Sequence, residues 1–425
     1  MPKSEKRFSP FIKQCFVTCA VCCNIIGQGC ATGFPAVLLP QLKTGPIHTS
    51  KETDSWIASV MALSILLGNA AAPALMGRLG RKPAAYAVIG CGISGWLVLA
   101  AAPNVATLIV GRVIQGISYG IIMPLRPVLI GEYTSPRYRG SFLTTISLSQ
   151  TTGIGLVHLI GSLLRWEYSA LICCLFPLAS LIMTLYSPES PSWLAVKDRF
   201  EECRDAFHWL RGEEENEELE KMIQARIIAK QNEVAENVSK FEELKLIARK
   251  KEVYKPVALA MHVYLLAQFC GSITLPSEYV YGKLNGILAY DATWIPVLLL
   301  NLQMASIGFG MVPMANVITG EVFPLQYRSI LGTVSVITVA ATMFMILKTF
   351  PGLLSSTGLH GTYAIYSVIL AYGVVVTWFL LPETKGRTLQ QIEEHFRGKP
   401  LVPVEELREI EPLRAGQKTV EEDKL

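Results

Sequence analysis

Ala106 to Ile130, ATLIVGRVIQGISYGIIMPLRPVLI, is an apolar run whose charged residues are only Arg112 and Arg126. Directly after it Gly131-Glu132-Tyr133-Thr134-Ser135-Pro136-Arg137-Tyr138-Arg139 turns abruptly polar. A helix rises about 1.5 Å per residue, so roughly 20 apolar residues cross about 30 Å of hydrocarbon. The run is long enough to span a bilayer. Similar stretches occupy Phe16 to Leu42, Trp56 to Met76, Ala84 to Ala102, Phe142 to Leu164 and Tyr168 to Tyr186. After a charged segment come Val257 to Leu275, Trp294 to Gly320, Ile330 to Ile346 and Thr362 to Leu381. The pattern is six spans, a hydrophilic insert and four more spans.

Composition agrees with a membrane solvent. Of 425 residues 51% are hydrophobic and 17% charged, against about a quarter charged in soluble proteins. Residues 197–255 alone hold 15 acidic and 13 basic side chains, so the rest is more apolar than the mean. A net charge of +4 without a basic stripe interleaved with aromatics argues against nucleic acid as a partner. The partner that the pattern demands is the lipid bilayer. Nine of the ten cysteines, Cys15, Cys19, Cys22, Cys23, Cys30, Cys91, Cys173, Cys174 and Cys270, lie in apolar stretches, with Cys203 in the charged insert. They read as buried or reduced thiols, not a disulfide framework. The apolar run from Phe16 continues to Leu42, which reads as a first span that stays and not as a cleaved signal.

Basic residues collect on one side. With both termini cytosolic, the inner side holds Lys3, Lys6, Arg7, Lys13, Arg78, Arg81, Lys82, Arg137, Arg139, Arg328, Lys385 and Arg387. The outer side holds Lys43, Lys51, Arg165 and Lys283, with Lys348 near a span end, so the positive-inside rule selects this orientation. The expected layout is a cytosolic tail at 1–15, a six-span bundle at 16–187, a cytosolic helical loop at 188–256, a four-span bundle at 257–381 and a cytosolic tail at 382–425. Within the loop, Phe200, Cys203, Ala206, Phe207 and Leu210 recur at helical spacing, predicting an amphipathic helix docked beneath the bundle. From Glu213 to Lys251 the pattern is helix-like but mostly polar, which a solvated linker fits equally well.

Two signatures recur in register. Gly131-Glu132 with Arg139 closes the fourth span, and Gly320-Glu321 with Arg328 closes the eighth. Ser187-Pro188-Glu189-Ser190 closes the sixth, and Leu381-Pro382-Glu383-Thr384 the tenth. The paired glutamates are 189 and 194 residues apart, whereas the first and seventh spans start about 241 residues apart by the same span-length criterion. The second half is therefore short by roughly 50 residues, about two helices and a turn. Duplicated span groups with a substrate site between them are a common transporter plan.

These motifs resemble the sugar porter family of the major facilitator superfamily. The resemblance rests on Gly77-Arg78-Leu79-Gly80-Arg81-Lys82, Gly111-Arg112 through Gly116 and Gly120, Glu132 to Arg139-Gly140, and Pro188-Glu189-Ser190-Pro191-Ser192-Trp193-Leu194. In the second half it rests on Gly308-Phe309-Gly310, Glu321-Val322-Phe323-Pro324 to Arg328, and Pro382-Glu383-Thr384-Lys385-Gly386. It implies an all-α membrane protein with a major facilitator fold, here a six-helix N-terminal bundle and an incomplete, four-span C-terminal bundle. It also implies sugar as substrate, no cofactor or metal, and residence in the plasma membrane. Gly77 and Ser192 depart from the family, which usually carries an acidic residue and an arginine there.

Arg78, Arg81, Lys82, Glu132, Arg139, Glu189, Glu321, Arg328 and Glu383 emerge at one membrane face with mixed signs. They can latch helix ends together when that side is closed, or simply anchor helix ends at headgroups. The resemblance assigns Gln150 to sugar binding, the other reading being an amide bonded to a neighbouring helix. It likewise points to Gln268, where Ala267 replaces a family glutamine, and to Asn316, which stands in place of a sugar-stacking tryptophan. Gly116 and Gly120 form a small-residue face for close helix packing. Arg126 is either functional or snorkels to the interface. His158 and His262 read as satisfied bundle residues.

Nothing matches the spacing of a hydrolase nucleophile, a zinc helix or a phosphate loop, so an enzyme is not expected. The first span has no Asp or Glu, where proton-driven sugar porters place a carboxylate. The expected activity is facilitative uniport of a sugar, trehalose or a hexose, by alternating access. The alternative is a non-transporting sugar sensor or an inactive short isoform.

Overall fold

The computed structural model describes residues 9–233, 251–269, 328–381 and 395–396, and all regular structure among them is helical. The expected eighth span, with Asn316 and Glu321, and the stretch holding Glu383 lie outside the described residues.

The first span is two helices, α1 (Pro10–Gly33) and α2 (Pro35–Thr44), meeting at Phe34. It is followed by α3 (Lys51–Ala74), whose start is capped by Ser50 accepting from the Thr53 N–H with Glu52 and Asp54 in the first turn. α3 widens into a π-helical turn at Leu75–Leu79, just after Pro73. Next come α4 (Arg81–Ala100), α5 (Val105–Tyr133), α6 (Pro136–Leu163) and α7 (Trp166–Leu185). Asn104 caps α5 by accepting from the Thr107 N–H at 3.0 Å.

α1 and α3 through α5 and α7 are long and apolar enough to cross a membrane, as is residues 334–358 of a later helix. α6 is as long, with 28 residues, but more polar. Thr144, Thr145, Ser149, Thr151 and Thr152 turn their hydroxyls back onto carbonyls of the preceding turn. Each is thereby satisfied without water, as hydrocarbon requires.

α5 packs between α3 and α4, and α1 between α6 and α7. The α3–α5 crossing is close because Gly116 and Gly120 present no side chain; a Cβ on either would strike the carbonyl of Met61 or Ile65. Phe34 stacks edge-on against Trp96, centroids 5.2 Å apart, filling the gap where the first span is interrupted.

Three helices follow α7: α8 (Pro191–Val196), α9 (Phe200–Arg211) and α10 (Asn216–Glu233). Cys203, Ala206, Phe207 and Leu210 are the buried face of α9, and burial pushes the Cys203 thiol up to about 11. α9 is fastened beneath α1 and α5. Gln14 donates to Ser135 Oγ at 3.0 Å and to the Leu210 carbonyl at 3.3 Å, while accepting from the Ser135 N–H. Arg211 donates to the Thr134 carbonyl at 2.9 Å and pairs with Glu215 and Glu218.

In the second half, α11 (Lys251–Phe269) packs on α12 (Arg328–Leu380), which Gly358 at φ 69° divides in two. The first part of α12 also lies along α3. There Ser55 Oγ donates to the Lys348 carbonyl at 3.0 Å and the Lys348 ammonium sits 4.0 Å from the centre of the Trp56 ring.

Candidate functional site

Two polar constellations stand out: a charged cluster where α4 begins, and a buried guanidinium in the middle of the first-half bundle.

The cluster starts from Gly80, whose backbone at φ 118°, ψ 175° is a conformation open to glycine alone. It turns the chain from α3 into α4 so that the first α4 amides face Glu189. A Cβ at Gly80 would collide with Glu189 Oε2. Glu189 accepts the N–H of Arg81 at 3.0 Å, of Lys82 at 3.1 Å and of Ser190 at 2.7 Å. An anion at a helix N-terminus is favoured by the free amides and the dipole. Burial nonetheless outweighs these bonds and raises the Glu189 carboxyl above its ordinary value.

Arg81 reaches the end of α5, where Nη2 donates to Glu132 Oε1 at 2.8 Å and Nε to Oε2 at 3.0 Å. Ser190 Oγ donates to the same carboxylate. Lys82 Nζ donates to the Leu185 and Ser187 carbonyls at 3.1 and 2.7 Å, covering the end of α7. Tyr133 donates to the Pro188 carbonyl at 3.1 Å and Trp193 Nε1 to the Gly77 carbonyl at 3.2 Å. The ends of α3, α4, α5, α7 and α8 are thus one charged knot.

Arg81, Lys82, Glu132 and Glu189 share this knot. Arg139 lies beside it, donating to the Gly131 carbonyl at 2.9 Å, and Arg78 is exposed outside it. Ser192, where an arginine was the family norm, donates to the Met222 sulfur at 3.5 Å. Arg328 begins α12 and Gln268 is next to last in α11. Asn316, Glu321 and Glu383 lie outside the described residues.

Gln150 is half-buried on α6, with Oε1 lacking a hydrogen-bond partner among the described residues. His158 Nδ1 and His262 Nε2 are also buried without one, so neither ring is fully satisfied as the sequence suggested. His262 lies edge-on to Tyr372 at 5.8 Å. A cavity of about 30 Å³ beside Asn24, Val88, Tyr133 and Thr184 has room for about one water. It cannot hold a sugar ring.

The residue to which sequence reasoning gave no role of its own is Arg112. Its side chain is fully buried, and its partners are all neutral: the Ala31 carbonyl at 2.5 Å, Gln115 Oε1 at 3.0 Å and the Ile57 carbonyl at 3.3 Å. Arg126, which the sequence singled out, is only half-buried and makes no polar contact among the described residues. The missed signal was the deeper of two arginines in one span, facing another span that contains a proline.

The helical order and packing match the major facilitator transporters. The structure aligns to the proton:xylose symporter XylE bound to 6-bromo-6-deoxy-D-glucose over 90% of this chain and 99% of that one, at 16% identity and a TM-score of 0.66. Alignment to the inward-open xylose transporter XylE from E. coli covers 91% and 99%, at 17% identity and a TM-score of 0.65. These likenesses establish a multi-pass, all-helical membrane protein of that fold.

Residues 16–285 and 287–396 match the family described as Sugar (and other) transporter, and the chain belongs to that family. Among curated relatives, the facilitated trehalose transporter Tret1 of Bombyx mori is 27% identical over 88% of this chain and 85% of its own. Tret1 of Apis mellifera ligustica is 24% identical over 92% and 88%. Its members are transporters, not enzymes.

Proposed function

We propose that this chain carries a neutral sugar, trehalose or a hexose, down its gradient by alternating access, without coupling to protons. The observation that carries the uncoupled mode is the neutral shell of Arg112. A guanidinium that drives proton coupling needs a carboxylate to pair with when that acid is deprotonated, and to release when it is protonated. Here its near neighbours are carbonyls and an amide, and α1 and α2 contain no Asp or Glu.

In this reading the plasma membrane is crossed with both termini cytosolic, the Arg81 end of the bundle faces the cytosol, and the charged knot is a latch on the closed cytosolic side. Gln150, Gln268 and Asn316 are assigned to sugar binding. The second half has four spans, with Glu321, Arg328 and Glu383 repeating part of the latch. The trehalose assignment draws on the names of the curated relatives.

The test is uptake of labelled trehalose and glucose into liposomes holding the purified chain, with and without an imposed pH gradient. Saturable flux that ignores the gradient supports uniport; uphill accumulation driven by protons refutes it. The shortened second half favours a second reading, a sugar-binding protein that does not transport. Saturable sugar binding with no flux would select it.

A further inference from the structure

Helical carbonyls accept from the N–H four residues on, and proline has no N–H to give. Pro35 therefore leaves the Ala31 carbonyl without its helical donor, inside the bundle and away from water. Ala31 is 1% exposed, so that vacancy cannot be met by solvent. An unmet buried carbonyl is expensive, and native structures rarely leave one.

Arg112 meets it. Nη1 donates to the Ala31 carbonyl at 2.5 Å from α5, a helix 81 residues further along the chain. The same guanidinium donates through Nε to the Ile57 carbonyl of α3 at 3.3 Å. Gln115, one turn on from Arg112, accepts from Nη1 at 3.0 Å and steadies the fork. One side chain thereby joins the break in the first span to α3 and α5.

The two pieces of the first span are held elsewhere by different neighbours. α1 is tied at its start to α9 and to Ser135 through Gln14. α2 is tied to the α6–α7 corner, where Gln41 donates to the Gly161 and Leu164 carbonyls at 3.2 Å each and accepts from the Trp166 N–H at 2.8 Å. Between those anchors the joint at Phe34–Pro35 is the place where the span can change angle. α3, the other helix Arg112 holds, is the one on which the first part of α12 packs.

We propose that Arg112 is a positioning residue that supplies the hydrogen bond Pro35 withholds from Ala31, and so sets the angle between α1 and α2 during transport. It does not touch the sugar. This use accounts for Nε and Nη1 of a fully buried arginine without an acidic partner, which serve carbonyls that have no other donor or a shared one, while Nη2 has no hydrogen-bond partner among the described residues. The transport part of the proposal rests on the sugar-carrier reading above; the capping part does not.

The experiment is a double-mutant cycle on the full chain purified in detergent, with Arg112→Met, Pro35→Ala and both, read by thermal unfolding. Pro35→Ala restores a main-chain N–H four residues after Ala31, so the carbonyl no longer needs Arg112. Arg112→Met should then lower the unfolding midpoint by clearly more with Pro35 present than with Ala at 35. An equal effect in both backgrounds overturns the capping role, whatever sign each single change has. In liposomes, Arg112→Met should lower the maximal rate of labelled trehalose or glucose uptake by about tenfold or more with half-saturation within about twofold. Arg112→Lys, with a single donor head, should recover part of that rate. A selective loss of sugar affinity at full maximal rate would instead place Arg112 on the sugar and overturn the positioning role. Absence of flux in the unaltered chain would sink the transporter reading, and the thermal cycle would still decide the cap.

Discussion

Arg81 grips Glu132 through two parallel hydrogen bonds, Nη2 to Oε1 at 2.8 Å and Nε to Oε2 at 3.0 Å, with both side chains less than one-fifth exposed. Paired, planar, charge-assisted contacts of this kind are the strong ones. The bond ties the start of α4 to the end of α5, and Ser190 adds the segment after α7 by donating to the same carboxylate. Removing Glu132 unfastens three helix ends together.

Glu132→Gln keeps the shape of the side chain but leaves Arg81 one accepting oxygen and no opposite charge, a loss of about 1–3 kcal/mol for a contact to a charged group. The expected result is a shift of the resting population toward the form open at the Arg81 end. Reagent access to cysteines introduced at that end, compared before and after the substitution, measures it. Unchanged labelling would mean that the knot is a static anchor of helix ends.

Glu189 gives a pH signature. Burial raises its carboxyl above the ordinary value despite the opposing N–H bonds of Ser190, Lys82 and Arg81. A raised native pKa means that the folded chain takes up this proton more readily than the unfolded chain. The associated stability is therefore present below the unfolded-state value and is lost as pH rises through the native one. Glu189→Gln cannot titrate. Relative to this variant, the unaltered protein should gain stability as pH falls from neutral toward the carboxylate range, read as the difference in unfolding midpoints at each pH. A relative loss on acidification would reverse the sign and show that the N–H bonds outweigh the burial.

Much of the first half was legible because hydrocarbon permits few solutions. Runs such as Trp56 to Met76 and Ala84 to Ala102 had to be helices, and Gly116 and Gly120 had to face a close neighbour. One boundary moved: α6 begins at Pro136, not near Phe142, because proline suits the first turn of a helix and the polar turns that follow it are helical without being apolar. The amphipathic stripe on α9 was readable from its spacing, since apolar residues must be covered somewhere. Arg112 was not, because its partner is created by a proline in a distant helix. The meeting of Ala31 and Arg112 is tertiary information. A search for carbonyls orphaned by in-span prolines would have asked for a donor and found one of two arginines in span four.

Orientation can be tested independently of transport. Asn237-Val238-Ser239 is an N-glycosylation acceptor sequence, and the proposed topology places it in the cytosol, out of reach of the luminal machinery. The chain expressed in animal cells should carry no glycan at Asn237, checked by mass spectrometry of the peptide and by unchanged mobility in Asn237→Gln. Occupancy there would invert the topology and put the Arg81 knot outside.

Gln150 separates a substrate role from a structural one. Its Oε1 is buried without a hydrogen-bond partner among the described residues, on the helix with the richest set of hydroxyls in the first half. An amide holding two helices together would already be paired, and losing it would destabilise the bundle. An amide waiting for a sugar hydroxyl carries a desolvation cost while empty, so an apolar replacement should relieve it. Gln150→Leu is therefore expected to leave the unfolding midpoint unchanged or raised. It should weaken sugar uptake at low concentration by several-fold to about tenfold, the worth of one neutral hydrogen bond. Thermal unfolding and uptake measured on the same preparation give both numbers. A lowered midpoint with unchanged uptake would return Gln150 to helix packing, and the sugar site would have to be sought on other faces of the bundle.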